Sequence, residues 1–300
     1  MKDPRCALGA ASSSLRAGLA GAHTMTGPAP TPRPFGLAFL NLHRCTAPEA
    51  VQAAAHAGAA FLGLRPWQNV LGSPFQRLIG EPAILREVQA AMADTGVRVL
   101  DLEIIRIDAG FDARRLTPLF ELGAALGARS VTVAGDDTDA ARLCDSYARV
   151  CEAMAPYGLT ADLEFTPWTA VPDARTALQV VQRAGSPANA GILPDPLHFA
   201  RSRTTLEDLR AIPRHLLHYA QICDGIPGLN FTTEQLIHSA RCERLFPGEG
   251  GIDLRGFLDA LPPDLPLSCE VVHLEREAAM SPADWAAHCL ALTRSRVASL

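Results

Sequence analysis

No apolar run in this 300-residue chain approaches the ~20 residues that a helix needs to cross a bilayer, which predicts a soluble protein with no membrane partner. A basic excess is also missing. Lys and Arg total 27 against 32 Asp and Glu, for a formal charge of -5 and a pI near 6.0. That balance argues against a grip on phosphate backbones, so no nucleic-acid partner is expected. There is no Cys-x-x-Cys pair among the eight cysteines (Cys6, Cys45, Cys144, Cys151, Cys223, Cys242, Cys269 and Cys289). Their scatter speaks against a disulfide framework and a thiolate zinc site, and predicts a reduced, cytoplasmic protein. What is present is 48% hydrophobic and 20% charged residues, enough to fill a sizeable core.

The first 34 residues differ from the rest, being rich in Ala, Gly, Ser, Pro and Thr and ending in Pro28-Ala29-Pro30-Thr31-Pro32-Arg33-Pro34. The apolar stretch Leu15 to Ala22 is too short for a signal peptide, and a transit peptide is the weaker reading. Residues 1–34 are expected to be a disordered extension, with Met25 as an alternative start.

From Phe35 onward, strand-like and helix-like patterns alternate. The expected strands are Phe35–His43, Phe61–Pro66, Arg98–Ile107, Ser130–Gly135, Thr160–Phe165, Gly191–Phe199, Leu217–Asp224 and Leu267–Val272. Helical patterns separate them and a last one, Ser281–Val297, closes the chain. Gly96, Gly127 and Gly158 fall just past helix ends, and Thr46 and Ser281 precede helix starts. Eight repeated βα units predict an α/β fold, a single (β/α)8 TIM barrel over residues 35–300. A doubly wound open sheet competes, but no Gly-x-Gly-x-x-Gly follows the first strand. Gly225 to Gly251 breaks the rhythm as a long strand-to-helix insertion, with a short helix near Thr232–Arg244, and is a candidate lid.

Four of the later strands end in side chains suited to a hard cation: Glu164, Asp195, Gln221 and Glu270. A carboxylate in an apolar strand is costly to bury without compensation. Strand alternation places Asp101, Glu103 and Ile105 on one face and Leu100, Leu102 and Ile104 on the other, which points Glu103 into the barrel mouth. Asn41 and His43 share a face at the end of the first strand, and His198 follows Asp195 by three residues. Each has a plainer structural reading. Glu103 can pair with Arg65 or Arg106, Glu164 with a neighbouring arginine, Gln221 with backbone, and His198 can cap the loop after it. Asp224 reads as a brace for the insertion or for a ligand, and Glu249 as a loop charge.

The ordered set Glu164, Asp195-Pro196-Leu197-His198, Gln221 and Glu270, with Pro247-Gly248-Glu249-Gly250 before the last strand, resembles the xylose-isomerase-like TIM-barrel superfamily. The resemblance covers Phe35 to the C-terminus. It implies that Glu164, Asp195, Gln221 and Glu270 hold one divalent ion. The oxygen-only set favours Mg²⁺ or Mn²⁺, with Zn²⁺ or Co²⁺ as alternatives because Gln221 stands where many relatives have His. It further implies a sugar (phosphate) isomerase or epimerase acting on a keto-sugar or hydroxy-ketone through a metal-stabilised ene-diolate. Glu164 and Glu270 would then move protons on opposite faces, with His198 as a further proton carrier. Glu103, His43, Asn41 and Arg244 are the expected substrate contacts. Arg244 would replace an arginine that the family's epimerases carry soon after the strand-seven ligand, where this chain has Ile226-Pro227-Gly228. Relatives resembling 3-dehydroshikimate dehydratase also have Gln at the strand-seven position, so a metal-dependent lyase is the rival reading. A metal-free barrel serving as a binding module is the non-enzymatic one, and would pair Glu164 and Glu270 with arginines. A homo-oligomer is compatible with all three.

Overall fold

A computed structural model describes residues 33–300 apart from Asn69 and Leu71. The expected extension over residues 1–34 therefore lies almost wholly outside the described residues. Eight parallel strands form one sheet: β1 (Phe35–Leu37), β2 (Phe61–Leu64), β3 (Arg98–Ile107), β4 (Ser130–Gly135), β5 (Thr160–Glu164), β6 (Ala190–Leu193), β7 (Ala220–Ile222) and β8 (Leu267–Cys269). Their hydrogen-bonded order is β6-β5-β4-β3-β2-β1-β8-β7. Between the two ends of that order, the Gln221 N–H donates to the Pro194 carbonyl at 3.0 Å, which brings β7 against the end of β6. The result is a nearly closed TIM barrel.

Among the described residues eleven α-helices accompany the strands: α1 (Ala47–His56), α2 (Pro82–Thr95), α3 (Thr117–Leu126), α4 (Ala140–Met154), α5 (Ala174–Arg183), α6 (Pro196–Ala200), α7 (Leu206–Arg210), α8 (Thr233–Cys242), α9 (Leu254–Asp259), α10 (Leu274–Glu277) and α11 (Pro282–Ala298). Local sequence explains their ends. Thr46 and Glu49 form a reciprocal capping box on α1, and Asp139, Asp173 and Ser281 accept from the first-turn N–H groups of α4, α5 and α11. Gly96 ends α2 with φ of 74°, a left-handed conformation that glycine adopts without a Cβ clash. The main core lies between sheet and helices. Leu62, Val131, Leu163 and Ile192 face out from the strands into a layer that includes Phe120, Tyr147, Phe257 and Trp285. None of the helices among the described residues is long and apolar enough to cross a membrane.

Several strands end earlier than their sequence pattern predicts, and each difference shapes the mouth. The first strand stops at Leu37 and turns into a 3-10 segment, Phe39–Asn41. There the Phe39 N–H donates to Glu103 Oε1 at 3.2 Å rather than to a neighbouring strand. The sixth stops at Leu193 because Asp195 caps α6, accepting from the Leu197 and His198 N–H groups; Pro196 has no N–H to continue a ladder. His198 therefore rides on a helix, not a strand. In β3 the register shifts between Leu102 and Ile105, so Ile104 lines the mouth with Glu103 while Ile105 joins the outer core, the reverse of simple alternation.

Candidate active site

The C-terminal strand ends open into a cavity of about 570 Å³. That volume suits a small metabolite. Glu103, Glu164, His198, Gln221, Arg244 and Glu270 all reach it, and all are buried. The insertion supplies one wall, through Ala240, Arg241, Cys242 and Arg244 at and after the end of α8. Asp224 holds that insertion in shape. Its carboxylate accepts from the N–H groups of Gly225, Gly248, Gly250 and Ile252 at 2.7–3.2 Å. A Cβ at Gly250 would lie 2.3 Å from Asp224 Oδ1, so no larger residue fits that turn.

Glu164, Asp195 and His198 bring one ligand atom each within 4.8 Å of one another. His198 Nε2 lies 3.8 Å from Glu164 Oε1 and 3.9 Å from Asp195 Oδ2. Its ring meets Trp168 edge-on at 5.1 Å, which fixes its plane. Burial pushes the imidazole down to about 4, with Arg244 and Arg201 adding to the effect against the opposing pull of Asp195, so the ring is neutral at pH 7. Burial also pushes Glu164 up, with the Asp195 charge assisting, to about 8. Asp195 behaves oppositely. Burial alone would raise it, yet Arg244, His198 and the Leu197 N–H hold it below the ordinary carboxylate range. Glu270 is raised well above that range by burial and by Glu103, Asp195 and Glu164, against the pull of Arg244.

Arg244 sits among the expected ligands. Its Nη1 donates to Asp195 Oδ2 at 2.6 Å, and its Nη2 lies 2.7 Å from Glu270 Oε2 as a charge contact rather than an aligned hydrogen bond. It is thus a buried counter-ion to two carboxylates. Glu270 stays outside the Glu164–Asp195–His198 cluster, and Glu164 has no arginine at salt-bridge distance among the described residues. Gln221 Oε1 is buried with no hydrogen-bond partner. Such an orphaned acceptor beside a cluster of carboxylates is what a hard cation satisfies, and the donor set fits a divalent ion held by oxygens with or without His198.

The other expected contacts divide. Glu103 lines the cavity and pairs with Arg65 at 2.8 Å, whereas Arg106 pairs with Asp136 instead. His43 lines the rim and binds Glu277 at 3.2 Å; burial would lower it, but Glu277 and the Leu40 carbonyl leave it raised. Asn41, expected at the mouth, does not line the cavity. Its side-chain amide donates to the Val271 carbonyl and its carbonyl accepts from the Val271 N–H, clamping the end of β1 to the end of β8. Glu249 pairs with Arg276 at 2.6 Å.

Sequence reasoning missed Arg241. It lines the cavity, yet makes no hydrogen bond or ion pair among the described residues. Its side chain is exposed at the cavity wall; partial desolvation lowers its pKa, and Arg106 and Arg65 lower it further, which places three guanidinium groups within electrostatic reach. Only the length of the insertion hinted at it.

An eight-stranded parallel barrel with carboxylates, a neutral imidazole and arginines at its C-terminal mouth defines a TIM-barrel protein with an enzyme-type site. The chain belongs to the xylose isomerase-like TIM barrel family, whose pattern matches residues 51–295. Solved structures that share the fold include a D-allulose 3-epimerase from Methylomonas sp., with a TM-score of 0.64 at 16% identity over 89% of this chain and 98% of the other. A 3-dehydroshikimate dehydratase from Pseudomonas aeruginosa is 29% identical over 230 residues, 71% of this chain and 33% of that protein. The chain therefore spans about a third of that relative's length. A fusion of a xylose isomerase-like barrel with a 4-hydroxyphenylpyruvate dioxygenase superposes with a TM-score of 0.70 at 23% identity, over 90% of this chain and 44% of the other. The IolI protein, solved with a zinc atom, gives 0.69 at 17% identity, over 89% and 97%.

Proposed function

We propose that the chain is a divalent-metal-dependent lyase that dehydrates a hydroxylated cyclic ketone carrying a carboxylate, as a 3-dehydroshikimate dehydratase does. The observation that carries this reading is Arg241, an exposed guanidinium on the cavity wall, within electrostatic reach of Arg106 and Arg65, that makes no ion pair among the described residues. Such a group binds a carboxylate or phosphate on the substrate and fixes its orientation. A neutral keto-sugar offers it nothing, whereas a sugar phosphate would engage it as a carboxylate does. Gln221 at the strand-seven position and the similarity to the Pseudomonas aeruginosa dehydratase point the same way.

In this reading Arg241 anchors the substrate's anionic group at the wall, and Glu103, held by Arg65, accepts from a hydroxyl. His198, its ring met edge-on by Trp168, is the group placed to take the proton next to the ketone and return it to the departing hydroxyl, which leaves as water. Glu164, Asp195, Gln221 and Glu270, with His198 as an alternative donor, would hold the ion; when bound it polarises the ketone and stabilises the charge that develops on proton loss.

A second reading, a sugar (phosphate) isomerase or epimerase, is supported by Glu164 and Glu270, which both line the cavity and can work on two faces of one carbon. The family's record as enzymes weighs against a metal-free binding module. A reduced, cytoplasmic setting is consistent with the free cysteines among the described residues.

The deciding experiment incubates the protein with Mg²⁺ or Mn²⁺ in deuterium oxide, against 3-dehydroshikimate and a keto-sugar panel. A new conjugated ultraviolet band with 3-dehydroshikimate is the expected result. Solvent deuterium next to a ketone without loss of water would replace the lyase reading with the epimerase one.

A further inference from the structure

Two of the expected ion ligands already have a cation. Arg244 is 3% exposed, and its guanidinium spans Asp195 Oδ2 and Glu270 Oε2 at 2.6 and 2.7 Å. It is also anchored from behind. Its Nε donates to the Ala240 carbonyl at 2.9 Å, and its Nη1 lies 3.2 Å from Cys223 Sγ. The main chain is pinned as well, by the Arg244 N–H to the Val272 carbonyl at 2.7 Å and by a bridge between Asp224 and Leu245. These contacts hold the main chain and Nε of Arg244 in place.

From this arrangement we infer that Arg244 is a built-in competitor of the divalent ion for Asp195 and Glu270. The inference rests on the metal-dependent reading above. Asp195 Oδ1 already accepts from the Leu197 and His198 N–H groups, so the oxygen left for an ion is Oδ2, the one that the guanidinium contacts; on Glu270 the guanidinium meets Oε2. Two cations on the same oxygens repel one another strongly in a buried site. Ion binding therefore has to displace Arg244 from at least one carboxylate, at the cost of a buried charge that must find another partner. The displaced guanidinium projects into the cavity, where a substrate oxygen can receive it. Arg244 thus lowers the intrinsic affinity of the site and couples ion binding to the position of an arginine at the reacting end of the cavity.

The test reads ion binding rather than turnover. Full-length wild type, Arg244→Gln and Arg244→Lys are stripped with chelator and titrated with Mn²⁺ alone by calorimetry, with melting temperatures taken with and without Mn²⁺. Removing a competitor tightens binding, so Arg244→Gln should bind Mn²⁺ about tenfold more tightly, a coupling of ordinary size. It should also melt lower than wild type without Mn²⁺ and recover part of the difference when saturated. Arg244→Lys, whose ammonium meets one carboxylate rather than two, should fall between them, and it carries the test if Arg244→Gln does not fold. An arginine that merely braces the ligands would give the opposite sign, because its loss would loosen them. Affinity at or below that of wild type in the folded variants overturns the inference and leaves the metal-dependent reading standing. Failure of the wild type and both variants to bind Mn²⁺ at all overturns both.

Discussion

Strands β3 and β5 each carry two inward carboxylates two residues apart: Asp101 and Glu103, Asp162 and Glu164. The upper pair faces the cavity and the lower pair lies in the barrel's interior, yet all four are at most 7% exposed. Burial alone does not separate them. The difference is in their partners, and it divides each pair: Glu103 above is held by Arg65 and the Phe39 N–H, while Asp101 below has an oxygen without a partner. Asp162 is saturated by its neighbours, accepting from Thr160 at 2.8 Å, from Ser130, and meeting His218 Nδ1 at 2.6 Å. Glu164, one turn of the pleat higher, has only an imidazole at 3.8 Å and is pushed up to about 8. Asp101 is raised well above the ordinary range by burial and by Glu103 and Asp162, with one oxygen unpartnered. A saturated carboxylate specifies the fold, whereas an unsatisfied one at the open end awaits something from outside.

The largest contrast should come from Glu164→Gln. It should lower kcat on 3-dehydroshikimate by about a thousandfold while the protein melts normally, as expected for loss of a group at the reacting centre. A variant that retained wild-type turnover would end the distinction between the two layers. The same residue predicts a pH effect in chelator-treated protein. Its folded pKa, about 8, lies above its ordinary value of 4.5, so the stability linked to its proton is full below about pH 4.5 and is lost as pH rises through 8. The loss should be roughly 5 kcal/mol at most, and Glu164→Gln should flatten it. Equal slopes in the two proteins would show that Glu164 is ionised throughout.

In the lower layer the effects should reverse. Asp162→Ala should cost about 3 kcal/mol of stability, read by denaturant unfolding, while turnover per folded molecule stays near wild type. A large kcat defect without destabilisation would move Asp162 into the reacting layer. At the cavity wall, Arg241→Ala should raise KM about tenfold for an anionic substrate, with a smaller effect on kcat. Equal KM for the two proteins would remove the anion subsite. The smallest effect belongs to Gly63, where a Cβ would sit 2.9–3.2 Å from the Asp101 carboxylate. Gly63→Ala should cost about 1 kcal/mol through crowding, without a change in KM.

Much of this contrast was legible along the chain. The period-two spacing of Asp101 with Glu103 and of Asp162 with Glu164 reveals their shared inward face, and Glu164, Asp195, Gln221 and Glu270 recur at strand ends because each βα unit repeats the same geometry. Strand lengths were less legible. Asp195 and Pro196 start a helix inside an apolar run, and Phe39 turns away from its strand to meet Glu103, which is distant in sequence. Asn41 reads as a mouth residue until its amide is seen closed on Val271. Arg241 and Arg244 lie in an insertion with no strand or long-helix period to orient them.

The sequence by itself determined the alternation of eight strands with helices, the caps that start those helices and the types of side chain at the strand ends, because these depend on local periodicity and backbone preference. Only the tertiary structure decided which carboxylates meet a hydroxyl, an imidazole or a guanidinium. Those partners come from strands and loops far apart in the chain, and the electrostatics of a buried acid is set by what lies within a few ångströms of it in space.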